Sequence, residues 1–306
     1  MVNTLLQSLK WEQRQRLTLL EATVFWSGEV STASLTQHFG ISRVQASKDF
    51  TLYQTLCPDN IRYDKSLKRY VLNDAFKAAF MVGSADEFLQ ILKLHPSDSS
   101  NTVVALADNL PIVEVLEPAF RQVDPTILQT INQAILSDKV VKVRYQSMSR
   151  AEPVEHLLCP HALVFDGLRW HTRAFSYTHH EFRDFVLARI HSAETLGPAE
   201  MDASEDGHWD TFVSVKIGAH PGLSDTQKAV IQFDYGMVNG ILERKVRGAL
   251  LFYFLKMMRI GTDDLMQDAM IQQIVLLNRN DLSEYLVVGC ASVSYTHLTL
   301  PTKRIV

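Results

Sequence analysis

Only three cysteines occur, Cys57, Cys159 and Cys290, far apart and without a Cys-x-x-Cys pair. An odd, scattered set gives no disulfide framework and fits reduced thiols in a cytoplasm. No apolar run approaches the ~18 residues that a membrane span requires; Ala249–Leu255, the longest good candidate, ends at Lys256. Met1–Arg16 turns polar within ten residues and has no signal-peptide core. Gly-x-Ser-x-Gly, Gly-x-Gly-x-x-Gly, a phosphate-loop lysine motif and His-Glu-x-x-His are all missing, so the chemistries those motifs support have no footing and no cofactor is expected. Charge of one sign is also lacking, the net value being -4.

What is there suits a globular protein. At 306 residues, 46% hydrophobic and 21% charged, the chain is long enough for two or three domains with separate cores. Basic charge is concentrated locally: residues 41–70 hold six basic groups (Arg43, Lys48, Arg62, Lys65, Lys68, Arg69) against three acidic ones (Asp49, Asp59, Asp64). A local excess within an acidic whole confines contact with a polyanion to one face.

That basic stretch falls inside a helix-turn-helix pattern. Residues 11–27 carry Leu17, Leu20, Ala22, Val24 and Phe25 at helical spacing, and Gly28 stops the run. A short helix over 32–39, with Leu35 and Phe39 inward, leads to the Gly40-Ile41-Ser42 turn. Ser42 with Gln45 reads as a capping box opening a third helix that buries Ala46, Phe50 and Tyr53. Strands near Ile61–Tyr63 and Arg69–Leu72, joined by a Lys-rich turn, complete a winged helix-turn-helix. In that motif the third helix enters the major groove with its first turns leading. Arg43, Gln45 and Lys48 then lie outward: Arg43 to pair with guanine, Gln45 with adenine, and Val44 to meet a thymine methyl. Ser42, Lys65 and Lys68 suit phosphate contacts. A protein-docking winged helix with ordinary surface charge has the same pattern.

Residues 76–124 carry helical pieces, Ala75–Met81 and Ala85–Leu94, around a Ser/Asp-rich break at His95–Asn101; an interdomain linker and a dimerisation arm both fit. Asp124-Pro125 caps a helix with Ile127, Leu128, Ile131, Ala134 and Ile135 on one stripe. Val140–Tyr145 is a strand, after which Tyr145 and Ser147 can meet a ligand or cap the strand end. Then His161–Ile190 supplies three β-rich runs separated by Asp166-Gly167 and Tyr177-Thr178-His179-His180 turns. Alternation puts Arg169, His171 and Arg173 on one side, with Arg183 and Arg189 sharing a side on the next run. Such a set suits an anion or nucleotide, and equally a solvated sheet face. After Gly197 an acidic loop, Glu200–Asp210, precedes a strand over Thr211–Ile217, a capping box at Ser224 and Gln227, a hairpin-like stretch near Ile241–Val246 and an apolar helix over Ala249–Met258.

Trp170-His171-Thr172, together with Phe182, Arg183, Phe185, Arg189 and Ile190, resembles the WYL domain, a Sm/SH3-like β-barrel that acts as a ligand sensor in bacterial regulators. Only Trp170 keeps the family's triplet. Pro-Gly-Leu-Ser at 221–224, Asp-Tyr-Gly-Met at 234–237 and Arg-Gly-Ala-Leu-Leu at 247–251 resemble the C-terminal extension of those regulators. The resemblance covers roughly residues 10–260 and is closest to regulators encoded beside BREX and CBASS phage-defence systems. It implies an α+β multidomain chain: a winged helix-turn-helix at 1–78, a helical linker or dimerisation region at 79–138, a WYL barrel at 139–199 and an α+β extension at 200–293. Residues 294–306 share no periodicity with what precedes, resemble a chimeric tail, and are assigned no function. The implied protein is a homodimeric regulator, a repressor by expectation, reading an inverted-repeat operator in double-stranded DNA, with half-sites ~34–36 Å apart. Its ligand set would be Tyr145, Ser147, His161, Arg169, His171, Arg173, Arg183 and Arg189, holding an anionic nucleotide or nucleic-acid ligand.

Two other chemistries have some support. His156, Cys159 and His161 are the best metal cluster, but on one strand His156 faces away from the other two, and His179-His180 would have to complete the four ligands of a structural zinc site. His161 and His171, with Glu152, Glu155 and Asp166 nearby, can also be drawn as the acid/base site of a nucleic-acid-processing enzyme.

Overall fold

The computed structural model describes residues 9–94, 114–116, 121–261 and 264–286. The chain divides into two compact units, Met1–Glu117 and Pro118–Val306. In the first, α1 (Trp11–Ser27), α2 (Thr32–Phe39) and α3 (Arg43–Leu56) accompany β1 (Glu29–Val30), β2 (Ile61–Asp64) and β3 (Arg69–Leu72), antiparallel in the order β1-β3-β2. α1 stops at Gly28, whose φ of 79° lies in the left-handed region open to glycine. Ser31 and Ser42 cap the next two helices, accepting from the N–H groups of Ala33 and Gln45. Leu17, Leu20, Val24, Leu35, Ala46, Phe50 and Tyr53 are fully buried together, and a residue the size of Phe50 contributes about 1.5–3 kcal/mol by leaving water. This is a winged helix. α4 (Ala85–Leu94) follows, with Phe88 stacked on Trp26 of α1.

Two local expectations fail here. Ser42 accepts from Gln45 N–H, but the Gln45 amide donates to Asp49 Oδ1 at 3.2 Å instead of returning to the cap, so only half the capping box exists. Ala75–Met81 is not helical. Its backbone is taken by buried side chains: Glu21 accepts from the N–H groups of Ala79, Phe80 and Met81, and Asn60 brackets Lys77 through both amide atoms. A segment whose N–H groups already have carboxylate partners has no use for an i to i−4 ladder.

In the second unit, α5 (Pro125–Leu136) begins at Asp124, which accepts from Thr126 and Ile127 N–H at 2.7 and 3.3 Å. β4 (Lys139–Tyr145), β5 (Val154–Phe165), β6 (Trp170–Ser176), β7 (Glu181–Val186) and β8 (Ile190–Pro198) form an antiparallel sheet ordered β7-β6-β5-β4-β8. β7 and β8 are its edges. The sheet is open, so the closed Sm/SH3-like barrel implied by resemblance is not what is seen. α5 covers one face, with Ile127, Ile131 and Ala134 against Val141, Leu158, Ala174 and Phe185. From His171 to Ser176 every residue of β6 is buried, on both faces; the second face is sealed by the segment that follows the sheet. That segment holds α6 (Gly207–Asp210), β9 (Phe212–Ala219), α7 (Asp225–Asp234), β10 (Ile241–Arg247), α8 (Leu251–Met257) and β11 (Ile274–Leu276), its sheet ordered β10-β9-β11. Ser224 and Gln227 make a reciprocal capping box on α7. His95–Asn101, Cys290 and Ser294–Val306 lie outside the described residues. Among those described, no helix is long and apolar enough to cross a membrane.

Candidate nucleic-acid interface and anion site

With Ala46, Phe50 and Tyr53 at zero exposure, the opposite side of α3 is presented outward: Ser42, Arg43, Val44 and Lys48 are exposed, Val44 by 66%. Gln45 is half-buried through its bond to Asp49. Asp49 in turn receives Arg16 of α1 in a two-pronged pair at 2.6 and 3.3 Å, which fixes the angle between the two helices. In the wing, Asp64 accepts from Ser66 and Leu67 N–H, and these bonds hold its carboxyl below the usual range. Lys68 sits at φ 55°, and both Lys65 and Lys68 are exposed.

The cationic residues of the second unit do not form one surface. Antiparallel register places Asp184 opposite Arg173 and Arg183 opposite Ala174, so Arg173 and Arg183 face opposite ways. On the sealed face Arg173 donates to Asp206 at 2.7 and 3.0 Å and to Asp184 at 3.3 Å. His161 Nε2 lies 3.1 Å from Asp206, and the Tyr253 hydroxyl of α8 donates to Asp184 at 3.1 Å. Burial alone would raise the Asp206 carboxyl, but the bonds from His161 and Arg173 and the guanidinium charge outweigh it and hold the group far below its ordinary value. His171 lies 3.0 Å from Asp166, which also accepts from Leu168 and Arg169 N–H and from Arg169 Nε. Burial outweighs the Asp166 bond and pushes the His171 imidazole down, toward its neutral form. His161, Arg169, His171 and Arg173, expected to meet a ligand, are thus each paired with an internal carboxylate. Asp184, Asp206 and Tyr253 carry no sequence signal for this role, because strand register and a loop distant in sequence bring them in.

The other face ends in a second cluster. Tyr145 packs its ring on Phe185 and His156, and its hydroxyl accepts from Val186 N–H at 3.4 Å. His156 and His179 stack, centroids 5.4 Å apart and planes 18° from parallel. Arg150 and Arg183 act on both rings electrostatically. Ser147 bonds Ser149 at this strand end. Arg189 is not on the same strand as Arg183, as the sequence implied, but ends a 3-10 turn after β7, and its carbonyl accepts from Gln146 N–H. The turn histidine that would have had to complete a metal site does reach His156, yet the rings lie face to face. Cys159 Sγ meets the Met201 carbonyl and His161 meets Asp206. No group of three candidate metal ligands converges among the described residues.

A winged helix, a WYL-type sheet unit and an α+β extension in this order define a transcriptional regulator of the WYL class. The family model described as BrxR transcriptional regulator winged helix-turn-helix domain matches residues 12–94, the WYL domain matches 126–195, and the BrxR transcriptional regulator C-terminal dimerization domain matches 212–282. The chain is 35% identical over 277 residues to the DNA-binding transcriptional repressor CapW of Escherichia coli (strain KTE188), covering 90% of this chain and 92% of that one. It is 34% identical over 279 residues to CapW of Pseudomonas aeruginosa, covering 91% and 93%. The chain belongs to the family of the CapW repressors. Relatives so named are regulators, which overturns the enzymatic alternative at His161 and His171.

Proposed function

We propose that the protein is a homodimeric, sequence-specific repressor acting in the cytoplasm on a phage-defence locus, and that its WYL domain relieves repression on taking an anionic nucleotide or nucleic-acid ligand. It would bind an inverted-repeat operator, with Arg43 and Val44 reading base edges and Ser42, Lys48, Lys65 and Lys68 on phosphates. Gln45 reads a base only by releasing Asp49, so its contribution is the smaller. The observation that carries this reading is the first turn of α3, polar, cationic and exposed above a fully buried face. The relatives' printed role, and a matched domain described as a dimerization domain, support it. For the ligand, Tyr145, Ser147, Arg183 and Arg189 are the first candidates: Arg183 pairs with an exposed carboxylate, Glu181, whereas Arg173 is buried between Asp184 and Asp206. Ligand binding can release DNA only through unequal affinity for the two arrangements of the dimer.

Gel shifts on operator and scrambled duplexes test the assignment. Arg43→Ala is expected to erase preference for the operator, a loss of about 1–3 kcal/mol of discrimination. Lys65→Ala is expected to weaken both duplexes alike and to lower the salt slope by about one. Equal loss of preference from both substitutions contradicts the reading.

A further inference from the structure

The His156–His179 stack lies against the core residue Phe185 and apart from the sealed ion network. His156 is buried, and its Nδ1 has no hydrogen-bond partner, an unusual state for a buried polar atom. His179 is exposed; its Nδ1 meets Ser176 Oγ at 3.0 Å, leaving Nε2 to offer. The charged groups acting on the pair come from three places: Arg150 in the β4–β5 loop, Arg183 on β7, and Glu181, which pairs with Arg183 and acts on His179. Tyr145 and Phe185 supply the aromatic wall beneath.

We propose that this pair is the proton-coupled part of an anion site for a phosphate monoester, with His179 taking up one proton as the ligand enters. The inference rests on the sensing role proposed above and names its chemistry. A charge balance carries it. Arg150 and Arg183 bring two positive charges and Glu181 returns one, so with neutral rings the site holds a single net charge. A phosphodiester, with one negative charge, is already matched. A monoester averages about −1.5 to −2 at neutral pH and, bound as the dianion, leaves a deficit of about one. The proton comes from solvent onto His179, the exposed ring, while His156, whose Nδ1 is shielded from solvent, stays neutral beneath it. Burial first, then for His156 the neighbouring His179 ring, and the guanidinium groups of Arg150 and Arg183 push both rings toward the neutral form; a dianion reverses the sign of that field.

Calorimetry on the full-length protein, in buffers of different ionisation enthalpy, counts protons directly. The probes are a deoxynucleoside 5′-monophosphate, a 5′-phosphorylated oligodeoxynucleotide and the same strand with a 5′-hydroxyl. Net uptake of about one-half to one proton is expected with phosphorylated probes, because a monoester bound as the dianion sheds up to about half a proton of its own, and none with the hydroxyl strand. Monoester affinity should rise roughly tenfold for each pH unit lowered through the range where the proton is taken up. Comparison of the first two probes separates a free nucleotide from a strand end. In His179→Gln the pH dependence should flatten while operator binding is unchanged, which reports an intact fold. Phosphorylated probes that bind without proton uptake, or a variant that keeps the full pH dependence, would overturn the inference and leave the sensing role standing. If no anionic probe binds or releases the operator, both fall.

Discussion

Glu21 is the residue on which the first unit closes. Fully buried on α1, it accepts from the Tyr53 hydroxyl at 2.8 Å and from three backbone N–H groups at 2.8–3.1 Å. One carboxylate therefore ties α3 to the chain that leaves the wing. Its charge also adds to burial in pushing the Cys57 thiol up to about 11, so that thiol stays protonated at neutral pH. Glu21→Ala strands all four donors; the expected loss is about 3 kcal/mol or more in chemical denaturation of the first unit. A loss within the range of an ordinary surface substitution would show that water replaces the carboxylate.

At the scale of elements, much was legible because local chemistry and the buried face agree. Gly28 ends α1, Asp124-Pro125 starts α5, and Ser224 with Gln227 opens α7, each as its residues imply. β1 is only two residues long and pairs with β3 far along the chain, so no periodicity announces it. Ala75–Met81 reads as helix because nothing nearby in sequence reveals that Glu21 will claim its N–H groups. The cationic runs of β6 and β7 were legible only in part for a related reason: alternation gives relative sides within a strand, but not which face a later segment will seal. Ser224→Ala removes one acceptor of the capping box and should cost about 1 kcal/mol in stability of the second unit. Thermal unfolding read from tyrosine and tryptophan signals checks it, and an unchanged midpoint would mean that α7 is held by packing alone.

Across the second unit as a whole, the five-stranded sheet and the α+β segment that follows it are welded by Arg173, Asp206, Asp184, His161 and Tyr253. A buried pair of this kind is weak evidence for stability in itself, yet breaking one side strands the other. Asp206→Asn is expected to cost about 3–5 kcal/mol at neutral pH. The sign of the pH effect follows from the depressed carboxyl. Its stabilising contribution is complete above the ordinary value of 3.8 and drains away as pH falls below it toward the folded value. Wild type should therefore lose stability between about pH 5 and acid while the variant changes less; parallel curves would refute the weld.

The central claim is that the first turn of α3 reads sequence in a duplex. Base-resolution footprinting on the DNA upstream of the protein's own gene tests it most directly, comparing wild type with Arg43→Ala. Protection of an inverted repeat with half-site centres about one helical turn, ~34–36 Å, apart is expected, lost in the variant although its mass in solution remains that of a dimer. An unaltered footprint in Arg43→Ala, or protection with no paired half-sites, would contradict it.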